Sequence, residues 1–209
     1  MLQQTSQEVI DGFKEVDSAT VFNAVVKKLG GWDKAPVCYM GPEVRCLLPE
    51  LGRAVGHAVT AEVTTNDPDS VAISWDEYYD FLDQSPVPMI AVLKDVDSRP
   101  GRGAIFGDGM ATLNKALGVT GVVAEGSVRD LMGIKDVGLP MWGTGTVPGH
   151  GPFHLVRLNS SITVGQLRVD PGDLLVADVD GCTKVPSDQD PDEILRIARE
   201  IQAREQRSM

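Results

Sequence analysis

Both ends of the chain show helical spacing of their hydrophobic residues. Near the N-terminus, one helical face contains Val21, Ala24, Val25 and Leu29. The Gly30-Gly31 pair that follows is typical of a helix end, so we predict one or two helices between Thr5 and Gly31. Near the C-terminus, Pro191 suits the first turn of a helix. The apolar stripe of that helix consists of Ile194, Ile197, Ala198 and Ile201.

Strand-like and helix-like segments alternate in the middle of the chain. Small and β-branched residues alternate with others from Ala54 to Val63, and two apolar runs, PMIAVLKDV and VTGVVAEG, have the length of buried strands. Between them, SWDEYYDFLDQ predicts a helix capped by Ser74, and GMATLNKALG predicts a helix that stops at Gly118. A further helix is predicted over SVRDLMGIKDVG, ending at Gly138.

Strand patterns dominate the segments after Gly138. LPMWGTGTVPGHGP reads as a short strand and a loop rich in glycine and proline, FHLVRLNSSITVGQLRV alternates as a strand does, and DPGDLLVADVDGCTKVP reads as a strand with turns at both ends. Because strands alternate with helices and then prevail, we predict one layered α/β domain with a mixed sheet over residues 1–209.

Charge and composition exclude several classes of function. The chain of 209 residues has a formal net charge of -11, which disfavours a nucleic-acid partner because such binding depends on Lys and Arg neutralising phosphates. No apolar run is long enough to cross a bilayer, so we expect no membrane partner. The N-terminal segment lacks the basic start and apolar stretch of a signal peptide, which predicts a cytoplasmic location. Three cysteines without metal spacing are expected to be small hydrophobic residues.

The charged residues that flank GDGMATLNKALGVTGVVAEGSVRD, residues 107–130, are the candidate chemistry. Asp108 precedes a predicted helix, and Arg129-Asp130 follows the next predicted strand. If the strand before Asp108 and the strand before Arg129 are neighbours, the three side chains face one crevice at the carboxyl edge of the sheet. Free N–H groups at the helix start favour a carboxylate or phosphate, an arginine favours a carboxylate or keto oxygen, and an aspartate favours a hard cation. This set suits a small oxo-acid with Mg²⁺.

Other interpretations of the same residues are open. Ser127 and Asp130 match a capping box, in which Asp130 satisfies backbone donors at a helix start. Asp108 alone fits a turn or an N-cap. Gly101, Gly103 and Gly107 resemble a dinucleotide-binding GxGxxG motif, but Phe106 stands where the third glycine belongs.

Asp108, twenty intervening residues and then Arg129-Asp130 form a D-x20-R-D pattern. In this pattern, and in GRAVGHAVTAEV, GTGTVP and VDPGDLLVADVDGCTKVP, the chain resembles the 4-hydroxy-4-methyl-2-oxoglutarate aldolases of the regulator of ribonuclease activity A family, often mislabelled as menaquinone methyltransferases. The resemblance implies an α/β/α sandwich of the swivelling-domain type with N- and C-terminal helices. It also implies a homotrimer or homohexamer with active sites between subunits.

The resemblance implies a role for each matching residue. The turn of Gly107, Asp108, Gly109 and Met110 is expected to hold the substrate carboxylate through its backbone. Arg129 is expected to bind the substrate and its developing enolate oxygen, and Asp130 to be the direct ligand of Mg²⁺ or Mn²⁺. Asp108 is expected to order metal-bound water and assist proton transfer, so that Asp108 and Arg129 are the catalytic residues.

The implied reaction is the retro-aldol cleavage of a 4-hydroxy-2-oxo acid, the decarboxylation of oxaloacetate, or both, with pyruvate as product. Both reactions leave a pyruvate enolate, whose charge a metal and an arginine stabilise. No lysine nucleophile is needed, so Lys115 and Lys135 are predicted to be surface residues. The alternative is a non-catalytic, protein-binding regulator of an RNA-degrading enzyme, as in the family's namesake. Acids from a neighbouring subunit are also implied, and the possible counterparts are Glu15, Asp17, Glu200 and Glu205.

Overall fold

The computed structural model of the chain describes residues 5–35 and 37–208. No signal peptide is predicted in the N-terminal segment, and the first four residues of that segment lie outside these ranges. The helices are α1 (Gln7–Lys14), α2 (Ser18–Leu29), α3 (Trp75–Gln84), α4 (Asp108–Ala116), α5 (Leu131–Val137) and α6 (Pro191–Gln206). The strands are β1 (Arg45–Cys46), β2 (Ala54–Thr64), β3 (Met89–Asp95), β4 (Ala104–Phe106), β5 (Val119–Val128), β6 (Met141–Thr146), β7 (His154–Leu158), β8 (Ile162–Val164), β9 (Leu167–Val169), β10 (Leu174–Asp178) and β11 (Gly181–Val185).

The central sheet is mixed. Its strand order is β1-β6-β5-β3-β2-β10-β11, with β4 paired to β5 and β7 paired to β2. Strands β2, β3, β5 and β6 run parallel to their neighbours in this group, and β4 runs parallel to β5. Strands β1, β7 and β10 join antiparallel, and β11 pairs antiparallel with β10. The α/β class and the mixed sheet predicted from the sequence are therefore confirmed.

The alternation of side chains along the buried strand β3 separates two layers. Met89, Ala91 and Leu93 pack against the apolar sides of α3, α4 and α5. Ile90 and Val92 point to the opposite face, where they meet the β8–β9 hairpin. On the first face, Leu174 and Val176 of β10 pack under α1, α2 and α6.

The second outer layer differs from that of an α/β/α sandwich. Within the described residues, the apolar cluster on the β8–β9 face contains no helical residue. The chain after Asn159 forms a short hairpin there, with Gly165 (φ 54°) and Gln166 (φ 62°) in its turn, and Ile162, Val164 and Leu167 cover the sheet. This face is covered by β-structure because the segment alternates with period two and not at helical spacing.

Local signals in the sequence predicted most element ends correctly. Ser74 caps α3 by accepting a hydrogen bond from the Asp76 N–H, and Gly30 and Gly138 end α2 and α5 in the left-handed conformation. The strand pattern recognised from Phe153 to Val169 is confirmed, although turns divide it into β7, β8 and β9. The single strand predicted over DPGDLLVADVDGCTKVP was wrong, since this segment forms the hairpin of β10 and β11. Within the described residues, no helix is both long and apolar enough to span a bilayer.

Candidate functional site

Two parallel strand ends bring the predicted site residues together. Phe106, the last residue of β4, is paired with Val128, the last residue of β5. The Arg129 N–H donates to the Phe106 carbonyl oxygen at 3.0 Å, which extends the pairing by one residue. Gly107 and Arg129 therefore leave the sheet side by side at its carboxyl edge, as the crevice hypothesis requires.

The capping box proposed for Ser127 and Asp130 was wrong. Ser127 lies within β5, paired with Ala104 on one side and Gly145 on the other, and its hydroxyl donates to the Gly101 carbonyl oxygen at 2.8 Å. The strand extends this far because β4 and β6 pair with both of its edges. Helix α5 consequently begins at Leu131, and the Asp130 side chain caps no helical N–H.

The structure also excludes the dinucleotide-binding interpretation of Gly101, Gly103 and Gly107. That motif needs its three glycines in one turn between a strand and a helix. Here β4 separates Gly103 from Gly107, so the glycines belong to two different connections.

Asp130 has an unusual backbone conformation. Its φ of 56° and ψ of 39° place it in the left-handed region, which few residues other than glycine adopt and in which Asp and Asn are the best tolerated. Its Oδ2 lies 3.0 Å from Arg129 Nε, and about two fifths of each side chain is exposed. Within the described residues, the contact of this pair is through Arg129 Nε and Asp130 Oδ2, which leaves Asp130 Oδ1 and the two Nη groups of Arg129 outside it. Both groups are thus available to a ligand.

The start of α4 supplies backbone donors beside this pair. The first hydrogen bond of the helix joins the Ala111 N–H to the Gly107 carbonyl, so the N–H groups of Asp108, Gly109 and Met110 have no acceptor within the helix. A Cβ on Gly107 would lie 3.2 Å from Asp130 Oδ2 and 3.4 Å from Arg129 Cγ. The two charged side chains therefore lie directly over the turn that leads into α4, where an anion is favoured.

The Asp108 carboxylate rests on helix α5. A Cβ on Gly133 would lie 2.6 Å from Asp108 Oδ2 and 2.7 Å from Asp108 Cβ. Gly133 is in a helix, where alanine is normally preferred by about 1 kcal/mol. The close approach of Asp108 explains why glycine suits this position.

Gly133→Ala is expected to displace Asp108 and to lower the activity of this site by at least about tenfold, since a misplacement of 1 Å can lower a rate about 100-fold. The fold should persist, because the substitution raises helix propensity. Pyruvate release from the 2-oxo acids that the sequence resemblance implies, together with the thermal unfolding midpoint, measures the two effects. Met132→Ala, at an exposed position of the same helix, is the matched control. Full activity in Gly133→Ala would show that the position of Asp108 does not matter.

A cavity of about 210 Å³ opens at this edge of the sheet. It is lined by Ala104, Phe106, Gly107, Asp108, Gly109, Met110, Arg129, His150 and Phe153. Asp130 is not part of the lining and sits beside it, held by Arg129. His150 and Phe153 were missed as site residues, since they come from the loop after β6. Only the glycine- and proline-rich composition of that loop signalled an irregular segment near the site.

Most of the chain is similar to one known protein family. Residues 20–183 match the family model described as RraA-like, Aldolase/RraA. The chain belongs to the RraA-like family. A provisionally assigned 4-hydroxy-4-methyl-2-oxoglutarate aldolase of Halalkalibacterium halodurans is 31% identical over 157 residues, covering 75% of this chain and 70% of the relative. An uncharacterized protein of Methanocaldococcus jannaschii is 35% identical over 106 residues, half of each chain.

A solved structure of the family has the same fold over nearly the whole chain. Streptomyces coelicolor RraAS2, described as an unusual member of the RNase ES inhibitor RraA protein family, superposes with a TM-score of 0.78 at 25% identity and covers 98% of both chains. The RraA-like family therefore includes proteins named for aldolase activity and proteins named for ribonuclease inhibition.

The residues at the RraA-like site fit a hard divalent cation. Asp130 presents an exposed carboxylate with one oxygen free of protein partners, and Asp108 presents a second carboxylate on the adjacent helix. Within the described ranges no group of three or more His, Cys, Asp or Glu side chains converges as a closed metal site. Mg²⁺ is commonly held by one or two carboxylates, with waters and substrate oxygens as its other ligands, so this open donor set suits Mg²⁺ or Mn²⁺ better than Zn²⁺.

The lysines near the site are engaged in other contacts. Lys115 donates to the carbonyl oxygens of Val137 and Gly138, and Lys135 pairs with Glu50 at 2.6 Å. Both are exposed pairs at the surface, as predicted. Of the four acids considered as contributions from a neighbouring subunit, Asp17 caps α2 and Glu200 pairs with Lys27, while Glu15 and Glu205 lie near the ends of α1 and α6.

A buried carboxylate anchors the loops around the cavity. Asp97 follows β3 and accepts hydrogen bonds from the Thr64 hydroxyl and from the N–H groups of Thr65, Asn66 and Arg99. Burial alone would raise the pKa of the Asp97 carboxyl, but these hydrogen bonds outweigh it and lower the pKa to about 2. The ionised carboxylate therefore stabilises the loop after β2.

Asp97→Asn is expected to lower the free energy of unfolding at pH 7 by about 2 kcal/mol. This is the free energy that corresponds to a fall in the carboxyl pKa from 3.8 in the unfolded chain to about 2 in the folded protein. Because the folded pKa lies below the usual 3.8, the contribution of the ionised group is complete above about pH 4. It is lost as the pH falls from about 4 to about 2. Urea unfolding of both proteins at pH 7, 4 and 2.5 measures the difference. Asp188→Asn, at an exposed position, is the control; a difference that stays constant with pH would contradict the assignment.

Proposed function

We propose that the protein is a divalent-metal-dependent lyase that releases pyruvate from a small 2-oxo acid. The reaction is the retro-aldol cleavage of a 4-hydroxy-2-oxo acid, the decarboxylation of oxaloacetate, or both. The observation that carries the proposal is the convergence of the Arg129-Asp130 pair on the free N–H groups of α4, across the paired ends of β4 and β5. The likeness to the Halalkalibacterium halodurans relative supports the same activity.

Each group has a role that its position supports. The N–H groups of Asp108, Gly109 and Met110 bind the substrate carboxylate, since an anion is favoured at a helix start. The Arg129 guanidinium, oriented by its contact with Asp130, faces the 2-oxo group and stabilises the negative charge that grows there. Asp130 would hold Mg²⁺ or Mn²⁺ directly, while Asp108 would order water beside the cation and assist proton transfer. The cation supplies Lewis-acid stabilisation of the same enolate charge when bound.

The assembly and location also belong to the proposal. Homotrimers or homohexamers and a cytoplasmic location remain predictions, as does the absence of nucleic-acid and membrane partners. Size-exclusion chromatography with light scattering measures the number of subunits directly.

The test of the proposed function is pyruvate release from oxaloacetate and from 4-hydroxy-4-methyl-2-oxoglutarate. Each substrate is assayed with Mg²⁺, with Mn²⁺ and with EDTA, against a metal-only blank. Turnover that requires the metal and exceeds the blank supports the lyase. Rates equal to the blank for both substrates, with folded protein, would contradict the proposal for these two substrates.

A second candidate is a regulator that binds an RNA-degrading enzyme. The likeness to RraAS2 and the net charge of -11, which suits a basic partner surface, favour it. Inhibition of RNA cleavage by a purified ribonuclease E-type enzyme, measured with the wild type and with Asp130→Asn, distinguishes the two. An inhibitor without lyase activity should work equally well in both forms, because a binding surface does not need a metal ligand.

A further inference from the structure

The cavity contains an imidazole to which no role has been assigned, while Asp108 is expected to assist proton transfer only through water. His150 lines the same cavity as Arg129 and Asp108. Retro-aldol cleavage requires a group that removes the proton of the 4-hydroxyl, and general bases of this kind are most often histidines. This inference rests on the proposed lyase function and adds a residue to it.

A backbone contact determines which ring nitrogen of His150 can act as a base. Nδ1 lies 2.8 Å from the Gly151 carbonyl oxygen. A carbonyl oxygen can only accept a hydrogen bond, so Nδ1 carries the hydrogen. In the neutral ring, Nε2 then holds the free lone pair. The contact therefore prepares Nε2 to accept a proton.

The loop of His150 is fixed on both sides of the residue. The Gly149 carbonyl oxygen accepts from the Ala104 N–H at 2.9 Å, which attaches the loop to β4. On the other side, a Cβ on Gly151 would lie 2.1 Å from the Thr65 carbonyl oxygen, so the backbone packs directly on the segment that Asp97 anchors. His150 is an exposed side chain on an anchored backbone.

Aromatic contacts support the same loop. Phe153 has a left-handed φ of 63°, a conformation that costs energy for a bulky residue. Its ring stacks on Trp75 with centroids 4.7 Å apart and lies 5.4 Å from the His150 ring. The stack makes Phe153 a wall of the cavity beside the imidazole. Backbone strain of this kind is commonly found at functional sites, where a side chain must be held in one position.

We propose that His150 Nε2 is the base that removes the 4-hydroxyl proton in the retro-aldol reaction. The O–H bond breaks and its proton moves to Nε2, and the electron pair of that bond forms the new carbonyl at C4. The C3–C4 bond breaks and its pair becomes the enolate of pyruvate, whose oxygen faces Arg129. The imidazolium then returns the proton to C3, so the substrate gives pyruvate and a second oxo compound with no net proton change.

The two reactions of the proposed function differ in their need for this base. Loss of carbon dioxide from oxaloacetate gives the same enolate, but oxaloacetate has no 4-hydroxyl proton to remove, and the proton that its enolate takes up at C3 comes from water. His150 should therefore matter for the retro-aldol reaction and much less for decarboxylation. Arg129 should matter for both.

The test compares His150→Ala and His150→Gln with the wild type on both substrates. The Gln side chain can accept a hydrogen bond but cannot take up a proton, so it separates binding from proton transfer. We expect both variants to lose about 100-fold or more in retro-aldol kcat, with KM nearly unchanged, and to keep decarboxylation within about threefold. Added imidazole should restore part of the retro-aldol rate of His150→Ala. Unchanged thermal unfolding midpoints confirm that the variants fold.

Three results would overturn the assignment of His150. A retro-aldol rate that survives in both variants excludes His150 as the base. Equal losses for the two substrates, or a rise in KM for both dicarboxylates, make His150 a binding residue for the second carboxylate. Full kcat in His150→Gln means that a hydrogen bond suffices. Inactivity of the wild type on both substrates is a different outcome, because it counts against the proposed lyase itself.

Discussion

Arg129→Lys is expected to lower kcat for pyruvate release from both substrates by about 100-fold or more, the usual loss when one donor to a developing oxyanion is removed. Arg129 performs two tasks at once, since its Nε contacts Asp130 Oδ2 at 3.0 Å while its Nη groups are available to the substrate. A lysine ammonium is a compact charge without the planar fork of donors, so it cannot contact Asp130 and the substrate in the same way. Steady-state kinetics on oxaloacetate and on the 4-hydroxy-2-oxo acid measure the loss.

The matched control for Arg129→Lys is Arg157→Lys. Arg157 is also exposed and also close to a carboxylate, Glu62, at 3.4 Å, but it lies on β7 and not in the cavity lining. Its replacement should leave kcat within about twofold of the wild type, as expected for a surface position. Activity retained in Arg129→Lys would mean that positive charge alone, without the planar guanidinium, is enough.

If the protein is the proposed lyase, Asp130→Asn is expected to remove its response to Mg²⁺, with a fall in kcat/KM of about 100-fold or more. Asparagine tolerates the left-handed backbone of position 130 nearly as well as aspartate, so the variant changes charge with little change in shape. Alanine at this position would add backbone strain to the loss of the ligand, which makes it the less informative substitution.

The dependence of rate on Mg²⁺ concentration is the measurement for Asp130→Asn. Asp136→Asn is its control, because Asp136 is an exposed carboxylate on α5, the helix that Asp130 directly precedes. The control should follow the wild-type curve. A wild-type Mg²⁺ response in Asp130→Asn would mean that another carboxylate binds the metal, and Asp108 would be the first to test.

Much of the site could be predicted because its key residues lie within one segment. Asp108, Arg129 and Asp130 are joined by one helix and one strand, and parallel strand ends meet at the same edge of a sheet. The left-handed backbone of Asp130 could not be predicted in this way. It depends on β5 running two residues past its apolar run, and that extension comes from pairing with β4 and β6.

His150 and Phe153 could not be placed from the sequence for a different reason. They reach the cavity through β6 and a long loop, whose path depends on the contacts of Gly149 with Ala104 and of Gly151 with Thr65. Contacts between residues so far apart in the sequence leave no periodic signal. The same limit applies to the segment after Phe153, where a strand pattern was recognised but its division into β7, β8 and β9 was not.

In the proposed site, Arg129, Asp130 and the start of α4 together hold a divalent cation and the enolate of a 2-oxo acid. Calorimetric titration with oxalate tests it directly, because oxalate is a planar dianion that resembles this enolate and needs no knowledge of the natural substrate. We predict that the wild type binds oxalate with Mg²⁺ present and not with EDTA, and that Arg129→Lys and Asp130→Asn each weaken binding by about tenfold or more. Oxalate binding that is absent from the folded wild type, or that persists in both variants, would contradict this arrangement of the site.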